Sequence, residues 1–152
     1  MPFSERHGDL FAATDMDALA HGVNCRGVMG AGIAKGFKAR WPEMFAHYRT
    51  NCEARALFPG VCLSIPANRG SDAMWICNLA TQDRPGPDAK LRYIAGAMAE
   101  MMEWAEDSGG GIRRIGMPRI GCGIGGLEWV EVRMIVELLA NESPVEVVVF
   151  SL

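Results

Sequence analysis

The chain has 152 residues, of which 49% are hydrophobic and 22% charged, and its formal net charge is −3. This composition excludes a disordered or low-complexity chain, and the length is enough to bury a sizeable core in one domain. A net negative chain also has no global field for holding a polyanion, so nucleic acid is not indicated as a partner beyond what a local basic patch could contact.

From the N-terminus, Phe3 to Arg6 predicts a short edge strand. Gly8-Asp9-Leu10-Phe11 reads as a turn, and Asp15 as the cap of a brief helical turn over Met16 to Leu19. Ala18 to Val23 fits a short buried strand, although strand and helix readings compete there. The run stops in Asn24 and the glycines Gly27, Gly30 and Gly32, before a helical period begins near Ile33. Pro42 suits the first position of a second helix running towards Cys52. Val61 to Ile65 predicts a strand stopped by Pro66, and Asn68 to Asp72 a turn leading into a hairpin partner over Trp75 to Ala80.

Thr81 to Asp88 is polar and contains two prolines, which makes it a loop and a candidate lid. With Asp88 as N-cap, the stripe Leu91, Ile94, Ala95, Met98, Met101, Met102 and Ala105 predicts a long helix to Glu106, with the methionines as core filler. Gly109-Gly110-Gly111 ends it. Ile112 to Met117 predicts a strand, followed by a second glycine loop, Gly121-Cys122-Gly123-Ile124-Gly125-Gly126. Leu127 to Leu139 predicts a helix that buries Trp129, Val132, Ile135, Val136 and Leu139, and Val145 to Phe150 predicts a closing strand. Strands alternating with helices indicate a three-layer α/β/α domain over residues 1–152, with a mixed, roughly six-stranded central sheet.

Five scattered cysteines, Cys25, Cys52, Cys62, Cys77 and Cys122, include no CxxC pair. That pattern argues against a disulfide framework or a zinc site and for a reducing compartment. No metal and no cofactor are expected. Cys62 and Cys77 lie in apolar runs, and no base adjoins Cys25 or Cys122 in sequence, so these four are read as structural. The first residues carry charges and no apolar core, so a signal peptide is not expected, and no apolar run reaches membrane-spanning length. The expectation is a cytoplasmic monomer with no membrane partner.

Both glycine loops follow strands and precede helices, the carboxyl-edge position at which α/β sheets bind ligands. Glycine lets backbone approach a ligand closely, and free N–H groups at a helix start favour anions. Two such loops point to a ligand with more than one phosphate. Gly30-x-Gly32-x-x-x-Gly36 brushes against the dinucleotide fingerprint of oxidoreductases, but that fingerprint needs an acidic residue ending the next strand, and Glu53 falls in a helical pattern.

Gly8-Asp9-Leu10-Phe11, His21-Gly22-Val23-Asn24, Gly30-Ala31-Gly32-Ile33-Ala34 and the long run from Met117 to Trp129 together resemble the macrodomain, an ADP-ribose-binding module. The similarity is to the branch containing terminal ADP-ribose protein glycohydrolase and the small ADP-ribose 1''-phosphate phosphatases. The resemblance implies that Asp9, with the N–H of Leu10, reads the adenine. It implies that Gly30, Ala31, Gly32 and Ile33 wrap the distal ribose and one phosphate, and that Gly121, Cys122, Gly123, Ile124 and Gly125 cradle the diphosphate. Phe150 and Leu152 would flank the adenine, core burial being the alternative for Phe150. Asn24 would face the distal ribose, with His21 beside it either as an acid–base group or as a packed or merely exposed histidine. His7 and His47 read as surface residues.

Glycohydrolases of that branch use a lysine and an aspartate at positions that here hold Gln82 and Gly125. A glutamine cannot form a Schiff base and a glycine has no side chain to act with. The phosphatases of the branch also carry glycine in the second loop. The resemblance therefore implies an ADP-ribose 1''-phosphate phosphatase or related ADP-ribosyl hydrolase, in which His21, Asn24 or Asp83 orients water and loop N–H groups stabilise the developing charge. The alternatives are a non-catalytic reader of ADP-ribose or ADP-ribosylated partners and, more distantly, a nicotinamide-dependent oxidoreductase.

Overall fold

A computed structural model describes residues 2–152 of the chain. The strands are β1 (Phe3–His7), β2 (Ala18–Val23), β3 (Cys62–Arg69), β4 (Asp72–Ala80), β5 (Arg114–Met117) and β6 (Glu146–Ser151). The α-helices are α1 (Gly32–Arg40), α2 (Pro42–Glu53), α3 (Leu91–Glu106) and α4 (Trp129–Asn141). One six-stranded sheet has the order β1-β6-β5-β2-β4-β3, parallel throughout except for the antiparallel β3–β4 hairpin. The mixed α/β/α architecture expected from the sequence is thus the one observed.

Strand alternation distributes the core between the two faces of the sheet. Ala18 and Ala20 of β2, Cys77 and Leu79 of β4, and Val147 and Val149 of β6 pack with Ile94, Met98, Met101 and Val132 from α3 and α4. Leu19 and Val23, Met74 and Ile76, and Val148 and Phe150 pack with Phe37, Met44 and Tyr48 from α1 and α2. Each fully buried large apolar side chain contributes about 1.5–3 kcal/mol relative to exposure. The methionines of α3 are core, as their spacing predicted.

Four local expectations are corrected. Residues 15–17 form no helical turn; the Asp15 carboxylate pairs with Arg6 and Arg114, and the helical turn lies earlier, as a 3-10 helix over Leu10–Ala12 capped by Asp9. Pro66 does not stop β3, which continues to Arg69. As the sheet's edge, β3 has a ladder on one side only, and proline is tolerated where its missing N–H would face outward. Asp88 does not cap α3, whose N-cap is Lys90 with no side-chain cap; its carboxylate instead accepts from the N–H groups of Asp83 and Arg84 at 3.1 and 3.0 Å. In α4 the buried residues are Val132, Val136 and Ala140, whereas Trp129, Ile135 and Leu139 pack against the core half-buried. The β3–β4 turn is Gly70-Ser71 with Gly70 at φ +60°, the positive φ that a two-residue hairpin requires. No α-helix among the described residues is long and apolar enough to cross a membrane.

Candidate functional site

Beyond the carboxyl ends of β2, β4 and β5 lies a cleft of about 710 Å³, whose walls are the two glycine loops and the segment after β4. The first wall is shaped by Asn24. Its Nδ2 donates to the Val28 carbonyl at 2.8 Å, and its Oδ1 accepts from the Arg26 N–H at 2.9 Å and the Tyr48 hydroxyl at 3.0 Å. Tyr48, fully buried, also donates to the Asn24 carbonyl at 2.7 Å, and burial raises the pKa of its phenol. Gly27 is at φ +76°, and a Cβ there would lie 3.1 Å from Arg49 Cγ, so the turn needs glycine both for conformation and for space.

The chain then passes Gly30 and Ala31, whose N–H groups have no hydrogen-bond partner among the described residues, into α1. Ala31 caps that helix without a side-chain hydrogen bond, and its first turn has no acidic residue. An uncapped helix start with no competing carboxylate is an anion site. Opposite, the second loop closes on itself through Cys122 N–H to Arg119 O at 3.3 Å and Leu127 N–H to Gly121 O at 2.9 Å. This leaves the N–H groups of Gly123, Ile124 and Gly125 without partners in the chain. The loops nearly meet: a Cβ on Gly32 would lie 3.2 Å from Ile124 Cδ1. Two runs of residues with unpaired amides therefore line one cleft, the makings of a nest for a polyanionic group.

The third wall, after β4, is braced from within. Gln82 Nε2 donates to the carbonyls of Arg84 and Gly86, the latter at 2.8 Å, and Asp88 holds two amides of the same turn. The Asp83 carbonyl accepts from the Cys25 N–H at 2.9 Å, which ties this segment to the first loop.

Of the expected site residues, Asn24, Gly30, Ala31, Gly32, Ile33, Gly121, Cys122, Gly123, Ile124 and Gly125 line the cleft. The others do not. His21 is wholly buried; its ring stacks on Phe37 at 3.9 Å and Nε2 lies 2.7 Å from Asn78 Oδ1. Burial pushes its pKa down to about 4. The acid–base role expected of it is corrected to that of a packed core histidine. Asp83 is corrected likewise: its carboxylate is outside the cleft lining, 2.8 Å from Arg26 Nη2, and that guanidinium holds it below the usual carboxylate range. Asn24 does reach the cleft wall, but its amide is engaged by its own loop.

Asp9 caps the 3-10 helix, accepting from the Phe11 N–H at 2.9 Å, and Leu10 and Phe150 are core residues meeting over Gly116. Leu152 is 94% exposed. None of these four lines the cleft, which therefore covers only part of the surface that the resemblance implied. All five cysteines are free. Burial pushes Cys25 up to about 12 and Cys122 to about 11, so both thiols stay protonated at neutral pH and neither is an activated nucleophile. No group of three or more His, Cys, Asp or Glu side chains placed to hold a metal ion occurs among the described residues.

Around the cleft, three residues have roles that the sequence did not assign to them. Tyr48 looked like any apolar helix position, yet it fixes Asn24. Gln82 braces the third wall. Trp129, expected in the core, is half-buried at the cleft's far end with Arg119 over its ring at 5.4 Å.

Fold and site together define a three-layer α/β domain with a cleft lined by two glycine loops. The Macro domain family model matches residues 20–136, and the chain belongs to that family. It is 34% identical over 125 residues to a DNA ADP-ribosyl glycohydrolase of Mycobacterium tuberculosis, a match covering 82% of this chain and 35% of that protein. The chain thus spans about a third of that relative's length. It is also 29% identical over 176 residues to an ADP-ribose 1''-phosphate phosphatase of Aspergillus oryzae, covering 88% of this chain and 87% of that protein. Among solved structures, the macrodomain of Mycobacterium tuberculosis DarG superposes with a TM-score of 0.86 at 31% identity, covering 99% of this chain and 97% of that one.

Proposed function

We propose that this chain binds ADP-ribose in the cleft and hydrolyses ADP-ribose 1''-phosphate to ADP-ribose and inorganic phosphate. The observation that carries the reading is the pair of facing loops with unpaired amides, Gly30 and Ala31 on one side and Gly123 to Gly125 on the other. They match a diphosphate on a ligand with two sugars, without any lysine. A relative matched over 87% of its own length is named for this phosphatase activity, which supports the choice. In the reaction the oxygen of a water bonds to phosphorus and the phosphorus–O1'' bond breaks. One water proton ends on O1'' and the other stays on phosphate. Backbone N–H groups, fixed before the reaction, stabilise the charge that grows on the phosphoryl oxygens.

A second reading is favoured by the 34% identity to the glycohydrolase: removal of ADP-ribose from DNA. Gln82 and Gly125 weigh against it, since neither can supply the chemistry that the resemblance assigns to those positions. Calorimetry with ADP-ribose, phosphate release from ADP-ribose 1''-phosphate, and ADP-ribose release from an ADP-ribosylated oligonucleotide separate the readings. Binding with phosphate release is expected. Binding with turnover of the oligonucleotide alone would select the second reading, and binding with neither would make the domain a reader. No binding would overturn all three. Free thiols fit a reducing compartment such as the cytoplasm.

Asp9 gives a sharper test of where the adenine lies. Asp9→Ala should lose about 1–3 kcal/mol of ADP-ribose affinity by removing a charge-assisted acceptor, and about 1 kcal/mol of stability by uncapping the 3-10 helix. Asp9→Asn keeps a cap and lacks the charge, so calorimetry on both variants isolates the ligand contact. Unchanged affinity in both would put the adenine elsewhere.

A further inference from the structure

Gln82 is 9% exposed, and it lines the cleft. Its Nε2 donates to two backbone carbonyls of its own turn, Arg84 and Gly86. This fixes which way the amide faces, because the reverse orientation would set Oε1 against both carbonyl oxygens. Oε1 makes no hydrogen bond among the described residues, and it is not one of the buried side-chain atoms left without a partner, which are His21 Nδ1 and Arg69 Nη2 alone. Gln82 is among the residues that line the cleft, and its Oε1 is not sealed from solvent. The two loops present N–H donors there; Gln82 presents an acceptor that cannot rotate away.

An acceptor with a fixed lone pair repels phosphate oxygens and selects a donor. On a ligand of the proposed class the donors beyond the diphosphate are sugar hydroxyls. Neighbouring Asn24 does not compete for them, since both ends of its amide are engaged by its own loop and by Tyr48. Asp9 and Phe150 lie outside this wall, so the sugar at Gln82 is the one remote from the adenine. We infer that Gln82 is a specificity-determining residue, whose Oε1 accepts a hydrogen bond from a hydroxyl of the distal ribose and so distinguishes ADP-ribose from nucleotides that end at the phosphate. The inference rests on the ADP-ribose reading above.

Two substitutions separate this role from bracing of the loop. Gln82→Lys keeps donors for the Arg84 and Gly86 carbonyls and has no acceptor. Gln82→Met has neither. Calorimetry of the whole chain with ADP-ribose and with ADP, which lacks the distal ribose, should show that the wild type prefers ADP-ribose. Both variants should lose about fivefold of that preference, the worth of one neutral hydrogen bond. ADP carries more negative charge than ADP-ribose, so the uncharged Gln82→Met reads the lost acceptor without the charge of the lysine, and the melting temperature of Gln82→Lys should stay at the wild-type value because the braces remain. An unchanged ratio in both variants, or a wild type that binds both nucleotides without preferring ADP-ribose, overturns the inference and leaves the ADP-ribose reading standing. A wild type that binds neither overturns that reading as well.

Discussion

Between pH 6.5 and pH 4 the folded protein should lose about 3 kcal/mol of stability through His21 alone. Above pH 6.5 the imidazole is neutral in both the folded and unfolded chain and contributes no pH dependence. As the pH falls below that, the unfolded chain binds a proton that the folded chain does not accept until about pH 4. The unfolded state binds more protons throughout the window, so folding stability declines across it and levels off below. The main cause is desolvation: the ring has no exposed surface, and its hydrogen bond to Asn78 offsets only part of the penalty. Asp15, Asp83 and Asp88 have pKa values below 3.8, and their contributions of the same sign enter at lower pH. Urea midpoints measured in steps through the window should therefore follow His21. His21→Gln, whose amide can still donate to Asn78, should lower stability at neutral pH and flatten the decline. An equally steep decline in His21→Gln would overturn the assignment. The same variant checks the site: a core histidine predicts that the pH profile of any hydrolysis keeps its shape when His21 is replaced.

The signal that His21 belongs to the core was present in the sequence. Leu19, His21 and Val23 fall on one face of β2 by period two, and Leu19 and Val23 are apolar. The resemblance places His21 beside Asn24 at the distal ribose, but strand alternation is the stronger guide to its position. Asn24 shows the reverse. Its hydrogen bond to the N–H two residues on is a local Asx pattern, readable from sequence, whereas the buried Tyr48 hydroxyl that completes it comes from a helix 24 residues away. Asp83 could not be read correctly without its tertiary partner Arg26, 57 residues distant. Pro66 depends on strand order, because only an edge position makes it harmless. The glycine loops were legible for a physical reason: dense glycine between a strand and a helix has few structural uses, and all of them bring backbone close to something else. Their donors are local to each loop; the acceptor at Gln82 depends on how a third loop folds.

Gly125 gives the other large effect, and it concerns space. A Cβ at this position would lie 2.8 Å from Ala89 Cβ and 2.8 Å from the Gly121 carbonyl oxygen. Neither neighbour is the free end of a flexible side chain. The Ala89 N–H donates to the Gly125 carbonyl, and the Gly121 carbonyl accepts from Leu127, so the contact joins the second glycine loop to the start of α3. Any side chain here must push that loop off its support and carry the unpaired amides of Gly123 and Ile124 with it. Gly125→Ala should cost about 1–3 kcal/mol of stability, as overpacking does. ADP-ribose affinity should fall by about tenfold or more, since each displaced donor forfeits about 0.5–1.5 kcal/mol. Gly125→Asp should be worse on both counts, and Gln82→Lys combined with Gly125→Asp should not acquire glycohydrolase activity, because the carboxylate cannot be seated on this backbone. Ala89→Gly removes one of the two close contacts, so the pair Ala89→Gly and Gly125→Ala should couple favourably in a double-mutant cycle read by urea midpoint and calorimetry. Wild-type stability and affinity in Gly125→Ala would mean that the loop yields at no cost. The absence of an aspartate here would then be a matter of chemistry rather than of packing.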